Sequence, residues 1–423
     1  MSEATRTGPS RLRDLLRGVP RSGRLLLLGV AVDALGVGLT LPFAVVYLRE
    51  VRGIPLSTVG LLLSLPPAVA LVLLGPIGLA IDRLGARRVQ MTALTFCLLG
   101  QVAMVGVRGP ATAAAALVLS GIGHAAFFPA IQALVATAIA AEHRQRFYGL
   151  SFTLLNAGIG LGGIVSGLVV DVHRAWTFEL IYLVDAASYL IPLLLLFFAL
   201  RGVGGPVQHV VVDGQASPVA TYAVVLRDKV FRRFLAVTFM GAFIGYAQLE
   251  AGWTAFARIV GGVSTREIGL AFAANTAVIV LLQLPVVQRI EGHRRTRLLM
   301  VMAGIWASAW ALAGVAGLVG GALAAVLLIA SAGIFGAGET FQSPVVPAVV
   351  NDLASDHLRG RYNAANSVAF QIAAVAGPSV AGLLIAHGLA AAYIVMLLVG
   401  CLVLVGLLFL LERRIPAAAN GVR

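Results

Sequence analysis

The eleven residues Gly78-Leu79-Ala80-Ile81-Asp82-Arg83-Leu84-Gly85-Ala86-Arg87-Arg88 form a compact charged turn between two long apolar stretches, 57–80 and 89–108. Each flank is long enough for a helix that crosses a bilayer, which takes about 20 mostly apolar residues. The turn also recurs. Gly85, Arg87 and Arg88 reappear 207 positions later as Gly292, Arg294 and Arg295, again between apolar stretches. A charged turn repeated at half the chain length, with a span on each side, indicates a helical unit used twice.

Working outward with the same ruler, six spans are predicted in the first half, at 25–48, 57–80, 89–108, 112–137, 147–171 and 177–200. Six more follow at 231–256, 265–288, 297–317, 320–346, 363–386 and 389–411. Composition agrees. The 423 residues are 59% hydrophobic and only 12% charged, with a mean hydropathy of +0.95, so lipid is the solvent for most of the chain. The first apolar stretch has no small-residue cleavage site and reads as a span, not a signal peptide.

The expected organisation is a tail at 1–24, a six-helix bundle at 25–200, a joining loop at 201–230, a second bundle at 231–411 and a tail at 412–423. Gly202, Gly204, Gly205, Pro206 and Pro218 mark the joining loop. The other loops are too short for a receptor or catalytic domain, so any chemistry sits within the helices.

The net charge of +13 does not describe a nucleic-acid binder, because the basic residues form no patch or stripe. They follow topology. Of the 31 Lys and Arg residues, 25 fall on the side of the two termini and 6 on the other. That bias places both termini in the cytoplasm and favours an even number of spans in a cytoplasmic (inner) membrane. Cys97 and Cys401 lie in separate spans and read as packing residues, not as a disulfide or metal site. No cofactor is implied. No His-x-x-x-His pair or Gly-x-Ser-x-Gly motif suggests an enzyme.

A second internal repeat, at an offset of 215, relates Arg144-x-Arg146-Phe147 to Arg359-x-Arg361-Tyr362. The same offset relates Gly162-Gly163-x-x-Ser166-Gly167 to Gly377-Pro378-x-x-Ala381-Gly382, so spans five and eleven are counterparts.

The Gly78 to Arg88 turn, Gly78-x-x-x-Asp82-Arg83-x-Gly85-x-Arg87-Arg88, resembles the signature loop of the major facilitator superfamily. The resemblance extends over nearly the whole chain through the span count, the joining loop and the repeat. It implies an all-α membrane protein with twelve transmembrane helices in two pseudo-symmetric six-helix bundles around a central cavity, usually monomeric. Within that superfamily, Asp33-Ala-Leu-Gly-Val-Gly-Leu-Thr-Leu-Pro42 resembles the first span of proton-coupled drug antiporters of the multidrug and tetracycline type. Gly158-x-Gly160-x-Gly162-Gly163-x-x-Ser166-Gly167 resembles their glycine-rich span five, with Gly163 where proline is usual. Those antiporters carry a span-four arginine associated with proton coupling; Leu117 stands there instead. Gly338-Glu339-Thr340 with Pro344, followed by Arg359-Gly360-Arg361-Tyr362, is similar to the tenth span and loop of many bacterial efflux members.

A charge at the centre of a span costs roughly 2.5–3.5 kcal/mol on insertion scales, so an acid there needs a cavity, a partner or a proton. Asp33, Asp185, Glu250 and Glu339 all raise the question. In the fold that the chain resembles, helices 1, 4, 7 and 10 line the cavity. Asp33, His124, Gln248 with Glu250, and Glu339 are on that set, whereas Asp185 is on a peripheral helix and reads as structural. Asp33 and Glu339 are candidates for binding and releasing a proton. His124 is either their titrating partner, as the only basic candidate in span four, or a neutral packed side chain.

Phe127, Phe128, Trp253, Phe256, Phe335 and Phe341 offer either an aromatic lining for an apolar ligand or ordinary core and lipid contacts. Asp82, with Arg83, Arg87 and Arg88, is expected at the positive N-terminal end of span eleven or at headgroups, as a conformational motif with Gly78 and Gly85. Gly158, Gly162, Gly163, Gly167, Gly377, Pro378 and Gly382 are candidates for close helix approach. The function expected from all this is export of a small hydrophobic or amphipathic compound in exchange for protons. Proton-coupled or facilitative transport of a metabolite such as a sugar or amino acid is the alternative.

Overall fold

A computed structural model describes residues 19–205, 222–290, 292–355 and 358–422, and within these the side chains at 82, 141–143, 145, 146, 222, 223, 359 and 360 are outside the description. Among the described residues it contains twelve helices long and apolar enough to cross a membrane. In chain order they are α1 (Arg21–Val51), α2 (Leu56–Ile81), α3 (Ala86–Val105), α4 (Pro110–Ala138), α5 (Phe147–Val169) and α6 (Ala175–Ala199). The second half holds α7 (Lys229–Ile259), α8 (Thr265–Ile290), α9 (Arg295–Ala316), α10 (Gly321–Leu353), α11 (Arg361–Ala386) and α12 (Ala390–Glu412). The protein is a multi-pass membrane protein.

Several helix ends follow directly from local chemistry. Gly85 adopts φ 87° and Gly292 φ 78°, so the two repeated turns need glycine, because a side chain is strained in that region. The Asp228 carboxylate caps α7 by accepting from the Val230 and Phe231 amides at 2.8 and 3.1 Å. It also accepts from the Tyr362 hydroxyl on α11 at 2.9 Å, which ties two helices of one half together. The joining segment is not wholly irregular, since Tyr222–Arg227 is a short helix leading into that cap. Residues 206–221, with Pro206 and Pro218, are outside the description.

The final residues pack instead of trailing away. Thr296 donates through its amide and hydroxyl to the Asn420 side-chain oxygen, and Arg295 donates its amide to the Asn420 carbonyl.

The repeat is visible as matched geometry. Pro42 interrupts α1 with a tight turn at Leu41–Phe43, and α7 is interrupted beyond Gly245 by a widened turn at Gln248–Trp253. These two broken segments pack on each other. Arg87 donates to the Leu196 and Phe197 carbonyls at the end of α6, and its counterpart Arg294 pairs with Glu412 at the end of α12. In each half the arginine that opens the third helix therefore fastens the sixth.

The halves touch along α5 with α8 and α2 with α11. Gly167 faces Gly269, Gly160 faces Thr276, and Gly60 faces Pro378 and Gly382. Ser64 and Ser379 share a hydrogen bond of 2.8 Å. These contacts lie in the part of the helices farthest from the chain termini, called here the distal end. The opposite, terminal end carries the repeated arginine turns. On its α2 side Gly75 and Gly78 have open space where a side chain would go, and Val72 is exposed.

Candidate functional site

His124 and Glu250 are both exposed although each sits well inside a span. They belong to different halves and lie within electrostatic range of each other. His124 is held on α4 by an Nδ1 contact of 2.9 Å to the Ser120 carbonyl. Glu250 projects from the widened turn Gln248–Trp253, whose extra residue re-aims side chains that a regular helix would turn elsewhere.

Behind Glu250 lies a second acid. Glu339 is buried, accepts from Asn275 Nδ2 at 2.9 Å and is hydrogen-bonded by the Tyr246 hydroxyl. Asn275 also donates to the Ala332 carbonyl at 3.2 Å, which pins α8 against α10. An acid with two neutral donors and no cation is one whose protonation state has consequences for its neighbours.

Asp33 does not face the space between the halves. It is only 7% exposed and lies inside the N-terminal half, near Asp185 of α6 and His124 of α4. Asp185 is fully buried and accepts from the Thr40 hydroxyl at 2.9 Å. One carboxylate oxygen of each acid, Asp33 Oδ1 and Asp185 Oδ1, has no partner. The acid that sequence reasoning set aside on a peripheral helix is thus beside the one it favoured. A small residue at Gly36, where any Cβ would strike Asp185 and Ser188, was the available signal. Leu117, where an arginine is usual, is buried in the apolar core and leaves these acids without an arginine neighbour on α4.

Other expected lining residues are elsewhere. Gln248 is fully buried with its amide directed at the Gly377 carbonyl, 3.5 Å away, so it joins α7 to α11. Phe335 stacks flat on Trp306 at 4.6 Å in the core of the second half, and Trp253 and Phe256 are buried there too. Both α7 and α10 are among the more buried spans, with 61% and 50% of their apolar stretches buried. Phe341 is half-buried and Phe128 exposed, while Phe127 lines a small cavity inside the first half.

The glycines divide into two sets. Gly158 and Gly162 let α5 lie against Ala34, Leu35 and Gly38 of α1, and Gly377 does the same for α11 against Ala247 of α7. Gly163, Gly167, Pro378 and Gly382 face the other half. Of the arginines in the repeated turn, Arg87 is the helix fastener described above, and Arg83 and Arg88 are exposed. The expected contact of Asp82 with the start of α11 falls outside the described side chains.

The comparisons agree with this architecture. The family model described as Major Facilitator Superfamily matches residues 26–328 and 261–422. An uncharacterised MFS-type transporter, YhjO of Bacillus subtilis (strain 168), is 24% identical over 364 residues, covering 86% of each chain. A Na(+), Li(+), K(+)/H(+) antiporter of Planococcus maritimus is 26% identical over 235 residues, 52% of this chain and 54% of that one. Among solved structures, a POT family transporter in complex with a thioalcohol-conjugated peptide superimposes with a TM-score of 0.77 at 15% identity, covering 93% of this chain and 96% of that one. Spans, repeat, inter-half seams and matched family model all say the same thing: the chain belongs to the Major Facilitator Superfamily.

Proposed function

We propose that this transporter exports small hydrophobic or amphipathic compounds by alternating access, in exchange for protons. The observation that carries the reading is the placement of the acids within its spans. Asp33 with Asp185 in one half, and Glu339 beside Glu250 in the other, put protonatable groups in both moving bodies with no arginine or lysine partner. His124 and Glu250 border the space where a substrate would lie. Protonation and release at such sites biases which end of the molecule opens. Each proton entering contributes about 2.3 kcal/mol per 100 mV of membrane potential.

The antiporter of Planococcus maritimus, whose printed name includes proton exchange, supports the coupling part of this reading. The distribution of basic residues supports a cytoplasmic membrane location with both termini, and so the terminal end, inside. The protein is proposed to work as a monomer, since each half finds its partner within the chain.

Substrate-induced proton movement in inside-out vesicles tests the reading, with a panel of lipophilic cations, tetracyclines and neutral metabolites. Proton release on adding a hydrophobic compound, abolished by Asp33→Asn, is the expected result. Flux of a metabolite with no proton response, intact in Asp33→Asn, overturns it in favour of a facilitator.

A further inference from the structure

Inside the N-terminal half, between α1, α3, α4 and α6, lies a cavity of about 20 Å³, separate from the space between the halves. Its walls run from Leu25 and Leu200 near the terminal end to Asp33, and they are apolar except for two residues, Asp33 and Gln90. Gln90 is 2% exposed, and its side-chain oxygen has no hydrogen-bond partner; Asp33 Oδ1 has none either. A void of this size holds one water, and a purely apolar void of this kind stays dry. Two orphaned acceptors beside it change that balance, because one water donates to both.

We propose that this cavity holds a water between Gln90 and Asp33, and that protons reach Asp33 from the terminal end through the interior of the N-terminal half rather than through the space that holds substrate. The proposal rests on the reading that Asp33 is protonated during the cycle. A hydronium arriving beside Gln90 gives one proton to the Asp33 carboxylate and is left as water; release runs the same step backwards. The groups facing Asp33 from the surrounding helices are Asp185 on α6 and His124 on α4, with Cys97 on α3 close by. Of these, only His124 is exposed, while Asp33, Asp185 and Cys97 are buried within the N-terminal half, so the proposed proton route runs apart from the space that substrate would use.

The test uses the full chain in lipid nanodiscs and infrared difference spectra taken at a pH where the protonated Asp33 carboxyl band, identified by its loss in Asp33→Asn, is present. Transfer from H2O to D2O then reports how fast that carboxyl exchanges. Gln90→Leu removes the acceptor, and Ile131→Phe fills the cavity while leaving Gln90 in place. Both are expected to slow exchange tenfold or more. A bulky maleimide on Glu250→Cys, which blocks the central space, is expected to leave the rate unchanged. Wild-type exchange in both cavity variants overturns the proposal, as does loss of exchange on labelling at position 250. Substrate-driven proton flux is measured separately on the same proteins. If wild type shows none while the exchange pattern holds, the coupling reading fails and the water route stands.

Discussion

Arg258 of α7 holds Glu50 of α1 through two parallel hydrogen bonds, Nε to Oε1 at 2.6 Å and Nη2 to Oε2 at 2.7 Å, and the two residues belong to different halves. A third donor, Nη1, binds the Val263 carbonyl at 2.7 Å and orients the guanidinium. The pair sits at the distal end, outside the broken segments of α1 and α7, where it must part before that end opens.

Both partners are partly exposed, at 22% and 27%, so the pair contributes no more than about 1 kcal/mol. Glu50→Gln is therefore expected to shift the population towards a distal-open form by about fivefold at most. A cysteine placed at Ser64, which is buried at the distal seam, reads this as faster maleimide labelling. No change in labelling would show that Glu50 and Arg258 do not hold the gate.

The two glycine sets predict two different defects. Gly269→Val pushes against Gly163 and Gly167 across the seam, so it hinders distal closure and leaves each half folded. Gly162→Val strikes the backbone of Leu35, Gly38 and Leu39 within one half and is expected to destabilise it by about 1–3 kcal/mol. Thermal unfolding in detergent together with distal labelling separates them: the first variant alters labelling at a near-normal Tm, and the second lowers Tm.

Arg87 and Arg294 are equivalent in the repeat but not in energy. Arg87 donates at 2.7 Å to a carbonyl at the end of α6, and losing a charged hydrogen bond of that kind costs about 1.5–3 kcal/mol. Arg294 is 48% exposed, and its partner Glu412 keeps Arg297, so Arg294→Ala is expected to cost under about 1 kcal/mol. Denaturant unfolding of both alanine variants checks the order, and equal losses would contradict it.

Asp185→Asn keeps the size of the side chain and one acceptor for Thr40, so folding is expected to survive. Substrate-driven proton movement is expected to fall tenfold or more, as for Asp33→Asn, because the two acids act on each other. Asp352→Asn, at an exposed pair with Arg295, serves as the control that leaves flux unchanged. Full proton movement in Asp185→Asn would return that residue to a purely structural role.

Most of the fold was legible without coordinates. Apolar length alone separates twelve spans, and their ends fall within a few residues of those observed except at α10, which runs on to Leu353 through Pro344 and Pro347. Each proline removes a single backbone donor, and a helix packed on its neighbours tolerates that. The equivalence of Gly85 with Gly292 was also readable, because a positive φ admits little else.

The site was legible only in part. A one-residue widening in α7 exposes Glu250 and buries Gln248 two positions earlier, and no periodic reading anticipates where such a turn inserts. Asp185 looked peripheral because helix order says which helices neighbour a cavity, not that α1 and α6 bring Asp33 and Asp185 together.

The sequence by itself determined the solvent, the number of spans and the internal duplication, because these depend on composition and on short-range spacing along one chain. Only the tertiary structure decided which acids share a compartment, which glycines serve the seams between halves, and that Gln90 stands beside Asp33 at a water-sized void. Those are relations between side chains on different helices, and the rotation of each helix about its own axis is set jointly by its own residues and those of the neighbours it packs against.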